Sequence, residues 1–228
     1  MTVVFLQARM DSSRLPAKAM LNIMGKTLIA HAMSALKCVD ADAHVLLTDF
    51  ESANYFFDIA SLEGFEIFAG SKEDVLDRFV SAARAYDADT IVRATGDNPL
   101  VSSVVANMSL LAHKRMDNDY TVYKDIPIGT GVEVVKRDAL EYAHKHSRRS
   151  YDREHVTPFL YANPEIFRLA YLDPPSELSF PDARVTVDTF DDYVRVYNIF
   201  SHLYEGYPIE LKNLVAWLKE HIKVSASS

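Results

Sequence analysis

A single cysteine, Cys38, is all the sulfhydryl chemistry the chain offers. It excludes an internal disulfide and leaves a cysteine-based metal centre short of ligands. No apolar run approaches the roughly 18 residues of a membrane span, and the opening MTVVFLQ is too short for a signal-peptide core. A cytoplasmic protein with no membrane partner is expected. Positive charge is also short. Lys and Arg number 24 against 32 Asp and Glu, a net charge of −8, which argues against nucleic acid as a partner. There is no G-x-G-x-x-G and no G-x-x-x-x-G-K-[ST], so neither dinucleotide nor P-loop binding is indicated. Internal repeats and low-complexity tracts are absent.

What is present is ordinary in proportion and ordered in pattern. Hydrophobic residues make up 49% and charged residues 25% of 228, enough to bury a substantial core. Short, continuously apolar runs alternate with amphipathic stretches. TVVFLQA (2–8), HVLLTD (44–49), EIFAG (66–70) and TIVRAT (90–95) read as buried strands. Residues 27–39, 52–64, 75–86 and a stretch through about 112 read as the helices between them. Ser71 and Asp74 form a capping-box pattern before the third of these. Such alternation predicts a single mixed, mostly parallel sheet covered by helices on both faces. After Lys114 the pattern loosens. DYTVYK, GVEVVKR, FRLAYL and ARVTVD read as further strands, and helices follow Thr189 and close the chain. Residues 1–224 are expected to form one domain, with a small inserted arm at about 140–175 and a flexible tail at 225–228.

Ligands of open α/β sheets bind beyond the carboxyl ends of strands. Three polar features fall there. The first is FLQARMDSSRLPAKAML (5–21), where Arg9, Arg14 and Lys18 crowd a loop in an otherwise acidic chain. Arg14 offers a planar fork for phosphate oxygens and Lys18 a mobile point charge. Ser12 and Ser13 keep the loop small enough for backbone N–H groups to approach an anion. The loop reads equally well as a solvated surface. The second and third features are Asp97 in TGDNP and Asp188 ending ARVTVD. Singly, each reads as a turn or cap residue. Beside a cationic loop they read as ligands for Mg²⁺, which takes carboxylates, substrate phosphates and water.

QARMDSSRLPAK, GSKEDVLDRF, IVRATGDNPL, DREHVTPFLY and RVTVDTFDD, in that order and spacing, resemble the cytidylyltransferases of the spore-coat polysaccharide, CMP-Kdo and acylneuraminate group. The resemblance runs from about residue 3 to 220. It implies a nucleotide-diphospho-sugar transferase-like (Rossmann-like) fold and attack by an acceptor oxygen on the α-phosphate of CTP, releasing pyrophosphate. It implies that Arg14 and Lys18 hold the triphosphate and that Arg9 and the backbone at Ala8 lie near the nucleotide. Gly70, Ser71 and Thr95 would lie near the cytosine, and Asp97 and Asp188 would bind Mg²⁺. Arg14, Lys18 and Asp97 are the expected catalytic residues. Two departures stand out: Asp11 and Ala17 replace glycines usual in the family. Asp11 could pair with Arg9 or Arg14, turn away, or weaken nucleotide binding.

The acceptor is a small molecule whose identity the sequence leaves open. Glu133 and His155 match family positions and are candidates for its pocket; a lone histidine on an aromatic face also reads as a packed residue. Arg148 and Arg149 could reach an acidic acceptor or form a solvated run. No dedicated base is evident, which points to an acidic acceptor or metal-assisted deprotonation. The arm resembles the family's dimerisation extension, so a homodimer is expected. The alternatives are a nucleotide-sugar glycosyltransferase, whose Asp-x-Asp motif is matched only by Asp40–Asp42 ahead of a strand, and a non-catalytic nucleotide-binding protein with a decayed site.

Overall fold

Strand β1 (Thr2–Gln7) is apolar along its length because both its faces are covered. Val4 and Leu6 join one core cluster, and Val3 and Phe5 join another on the opposite side. The protein is seen in a computed structural model that describes residues 1–221; the tail expected at 225–228 lies outside the described residues. Beyond β1 come a 3₁₀ turn at Lys18–Met20 and a hairpin of β2 (Asn22–Ile23) and β3 (Lys26–Thr27). Then follow α1 (Leu28–Leu36), β4 (Ala43–Asp49), α2 (Ala53–Glu63), β5 (Glu66–Gly70), α3 (Val75–Ala85), β6 (Thr90–Thr95) and α4 (Ser103–Met116). The second half has β7 (Tyr120–Tyr123), β8 (Glu133–Lys136), α5 (Arg137–His146), α6 (Ser150–His155), α7 (Pro158–Tyr161), β9 (Leu169–Leu172), α8 (Phe190–Leu203) and α9 (Leu211–His221).

Seven strands form one sheet in the order β5-β4-β1-β6-β8-β7-β9. All its pairings are parallel except those of β8, which runs antiparallel to both β6 and β7. The sheet is mixed and mostly parallel, with helices on both faces, as the alternating pattern predicts. α1, α2 and α4 cover one face, and α3 and α5 the other. A third cluster, built from α8, α9 and the extended segment through Val185 and Val187, closes one end. Among the described residues, no helix is long and apolar enough to cross a membrane.

Three local expectations are corrected. ARVTVD is extended but is not a strand. Its backbone bonds go to the loop at Ile128 and to Asp97 rather than to a neighbouring strand, with Val187 N–H donating to Asp97 O at 2.9 Å. The helix begins at Val75 as read, but the capping box expected of Ser71 and Asp74 is not its cap. Ser71 Oγ is spent on the N–H of Asp74, and Asp74 caps the helix by accepting from the N–H of Asp77. Cys38, which falls in the helix read over 27–39, is exposed just beyond the end of α1. A helix follows Thr189 as read, and Thr189 and Asp192 form a capping box at the start of α8.

Candidate active site

The loop leaving β1 is pressed against the end of β6. Gly96 N–H donates to Gln7 O at 2.7 Å, and a Cβ at Gly96 would stand 2.8 Å from Ala8 Cβ. Only glycine lets the two segments approach this closely. Farther along, Met10 N–H donates to Ser52 Oγ at 3.0 Å, and Ser52 Oγ donates to the buried Asp49 at 2.9 Å. This relay ties the loop to the carboxyl end of β4. The loop then turns through Ala17, whose φ of 52° is left-handed, into the 3₁₀ turn. At the other departure from the family pattern, Asp11 meets Lys72 at 3.5 Å instead of Arg9 or Arg14. Its negative charge is thereby drawn away from the two arginines.

That geometry delivers Lys18 to a meeting point of oxygens. Its ammonium lies 2.9 Å from Asp188 Oδ1 and 3.3 Å from Asp97 Oδ2, and it donates to Val187 O at 2.8 Å. Arg14 approaches the same Asp188 oxygen at 3.1 Å, and Arg184 holds the other at 2.8 Å. Burial alone would raise the Asp188 pKa. The Lys18 hydrogen bond and the charges of Lys18 and Arg14 outweigh it, so the carboxyl sits below its ordinary range. Asp97 is fixed from behind by Thr95, whose hydroxyl donates to Oδ1 at 2.6 Å, while Asn98 Nδ2 donates to Thr95 Oγ1. Two carboxylates and a carbonyl thus converge on one cationic point. This is a hard-oxygen set suited to a divalent cation completed by phosphates and water. No group of three or more His, Cys, Asp or Glu positioned to hold a metal occurs among the described residues.

A cleft of ≈ 300 Å³ opens over this point. It is lined by Ala8, Arg9, Ser12, Ser13, Arg14, Lys18, Thr95, Asp97, His155 and Asp188 from the sequence-predicted set, and also by Gln7, Gly96 and Glu154. Gly70 and Ser71 do not line it. Gly70 instead lies against the buried Arg78, whose Nη1 donates to Ser71 O at 2.8 Å. Glu133 lines a neighbouring cavity, also ≈ 300 Å³, which shares Arg93 and Thr95 with the cleft. Glu133 pairs with Arg93 and accepts from Tyr120 Oη at 2.6 Å and Thr157 Oγ1 at 2.9 Å. Arg149, offered above as an acceptor contact, is bound at 2.6 Å by the buried Asp152 within the arm and lines neither cavity. Asp40–Asp42 lies at the opposite, amino end of β4, where Asp42 accepts from Thr2 N–H.

The segment between α6 and α7 serves both cavities. Val156 is buried with φ 73° and ψ −56°, and Thr157 N–H closes the tight turn onto His155 O at 2.9 Å. A β-branched residue in that region costs on the order of 1–3 kcal/mol. The turn places His155 on the cleft and Thr157 on Glu133. Sequence reading missed Arg93, Gly96, Ser52 and Asp49. Gly96 carried a signal, a glycine directly after a buried strand. The others look like ordinary strand and loop residues until the chain is folded.

A sheet of this order, with an anion-seeking loop after its central strand and two aspartates meeting across the cleft, has the architecture of a nucleotidyltransferase. The chain belongs to the cytidylyltransferase family, whose sequence model matches residues 3–219. It is 30% identical to the spore coat polysaccharide biosynthesis protein SpsF of Bacillus subtilis, over 95% of this chain and 93% of that protein. A cytidylyltransferase structure from Leptospira borgpetersenii superimposes with a TM-score of 0.88 at 27% identity, covering 96% of this chain and 94% of that one. A CMP:2-keto-3-deoxy-manno-octonic acid synthetase in complex with CTP shares the fold, with a TM-score of 0.67 at 17% identity over 88% of this chain and 98% of that one.

Proposed function

We propose that this cytidylyltransferase transfers CMP from CTP to a sugar, sugar acid or small phosphorylated acceptor and releases pyrophosphate, with Mg²⁺ held by Asp97 and Asp188. The observation that carries the reading is the Lys18 ammonium gathered between two carboxylates from distant parts of the chain, with Arg14 beside it. When CTP enters, Arg14 and Lys18 turn to the β- and γ-phosphates, and Ser12, Ser13 and the backbone from Ala8 to Arg9 border the nucleotide. Lys18 leaves its two carboxylates as it turns. Bound Mg²⁺ supplies Lewis-acid neutralisation of the phosphate oxygens. The acceptor oxygen forms a bond to Pα, the Pα–O bond to the β-phosphate breaks, and its electron pair departs on pyrophosphate. Arg14 and Lys18 stabilise the charge gathering there, which is most of what phosphoryl chemistry asks of a protein. Residues 1–224 act as one nucleotidyltransferase domain. The arm's exposed Tyr151, Tyr161 and Ile166 support pairing of two chains through it.

The test is calorimetry with CTP, UTP, ATP and GTP, each with and without Mg²⁺. CTP should bind most tightly and gain affinity from Mg²⁺. Equal affinity for all four, or none for CTP, would remove the proposal.

A further inference from the structure

The two cavities that meet at Arg93 differ in how their charges are settled. In the triphosphate cleft no carboxylate among the described residues pairs with Arg9, and Arg14 reaches Asp188 only from an exposed position. In the neighbouring cavity each cation of the lining has a carboxylate partner. Arg93 is paired with Glu133, and both are largely buried. Lys124 is paired at 3.0 Å with Asp173 and stands beside Asp125 on the cavity wall. The rest of the lining is mostly apolar or backbone: Val122, Ile126, Pro127, Ile128, Val132. An anionic group entering here would be desolvated against Glu133, at 332/(εr) of repulsion with no uncommitted cation to offset it.

A second observation has the same sense. Asn98 lines this cavity, and its Oδ1 is buried without a donor. The amide orientation is set by its other end. Thr95 gives its proton to Asp97, so Thr95 Oγ1 can only accept, and Asn98 must present Nδ2 to it. With Nδ2 turned to Thr95 and the buried Oδ1 out of a ligand's reach, Asn98 directs no donor at an anion in this cavity. Arg93 keeps donors beyond the one spent on Glu133, and these suit a hydroxyl oxygen.

We propose that Glu133 determines the acceptor's charge: by cancelling Arg93 it makes this cavity select a neutral, hydroxyl-bearing acceptor with apolar substituents over an acidic or phosphorylated one. The inference rests on the CTP-dependent reaction proposed above. The attacking atom is then a hydroxyl oxygen, which bonds to Pα while pyrophosphate departs and its proton goes to solvent at the mouth of the cleft. Glu133 is a positioning residue here. It acts through Arg93.

The test uses the full chain with Mg²⁺ and α,β-methylene-CTP, which fills the triphosphate cleft without reacting, and inorganic phosphate as the probe, titrated by calorimetry. Wild type should show no second anion site, and Glu133→Gln should bind phosphate at least tenfold more tightly than wild type. The double variant Arg93→Gln/Glu133→Gln should lose that gain, which a general loosening of the fold would not produce. Phosphate binding by wild type as tight as by Glu133→Gln, or no gain in Glu133→Gln, would overturn the assignment. If Glu133→Gln does not fold, the same titration of wild type against Arg93→Gln decides it. Phosphate binding by wild type that Arg93→Gln abolishes refutes the proposal, and its absence from both supports it. Failure of wild type to bind the CTP analogue at all would instead take down the CTP-dependent reading, and this inference with it.

Discussion

The two cavities flanking Arg93 are built by opposite means. The cleft over Lys18 carries its cations on a loop. Arg14 is two-thirds exposed, and the backbone from Ala8 to Lys18 is held by a few bonds to Leu47, Ser52 and its own turn. The neighbouring cavity carries its charges on strands. Arg93 is on β6, Glu133 on β8 and Tyr120 on β7, adjacent in the sheet and bonded to one another. Burial pushes the Tyr120 phenol far above its ordinary pKa, with the Glu133 charge adding to it, so the phenol keeps its proton and donates to Glu133 throughout the physiological range. Loop-borne charges can move to a ligand and away. Strand-borne charges in a neutral, buried pair cannot, and what they exclude is fixed by the fold.

The sharpest way to break this contrast is at the convergence point. Asp97→Ala should lower CTP-dependent pyrophosphate release by about 10²-fold or more, roughly 3 kcal/mol. Wild-type turnover in that variant would mean that the cleft does not depend on its carboxylates. Next in size is Ser52→Ala, which strips a partner from Met10 N–H and from the buried Asp49. Two orphaned polar groups should cost about 1–3 kcal/mol, seen as a fall of several degrees in Tm. An unchanged Tm would show that the loop is not anchored there. Arg14→Ala should weaken CTP binding about tenfold, or ~1.4 kcal/mol, with the loss shrinking at high salt because the side chain is exposed. A loss independent of salt would place Arg14 with the buried charges instead.

Legibility in the sequence follows the same division. The parallel half of the sheet is readable because β1, β4, β5 and β6 are short apolar runs between periodic helices. The loop cations are readable because they stand together against the global charge. The neighbouring cavity is not. Glu133 and Arg93 are 40 positions apart, and nothing local says that antiparallel pairing of β6 with β8 sets them opposite each other. ARVTVD misleads for a related reason. Its alternating valines pack in a core cluster, as a strand's would, but its backbone partners are loops. Asp188 is therefore placed by Lys18, Arg14 and Arg184 rather than by a strand end. Gly70 shows the converse: a motif glycine explained by packing on Arg78 rather than by a ligand.

The smallest expected effect tests whether the cation-bearing loop is also a strained one. Of the two positions where this chain departs from the family's glycines, only Ala17 is left-handed, at φ 52°. Asp11 stays out of that region, so it needs no glycine and can direct its charge to Lys72. An alanine in the left-handed region costs roughly 1–2 kcal/mol against its preferred conformations, and glycine there avoids most of that cost while adding about 0.5–1 kcal/mol of unfolded-state entropy. Ala17→Gly should therefore stabilise the protein by somewhat less than about 1 kcal/mol, a rise of one to a few degrees in Tm. The same change frees the turn that delivers Lys18, so CTP affinity should stay level or fall slightly while Tm rises. Opposite movement of the two would show that the loop's rigidity is maintained against strain for the sake of the triphosphate. A fall in Tm would show instead that the turn at Ala17 is relaxed, and that the cleft's adaptability comes only from its exposed side chains.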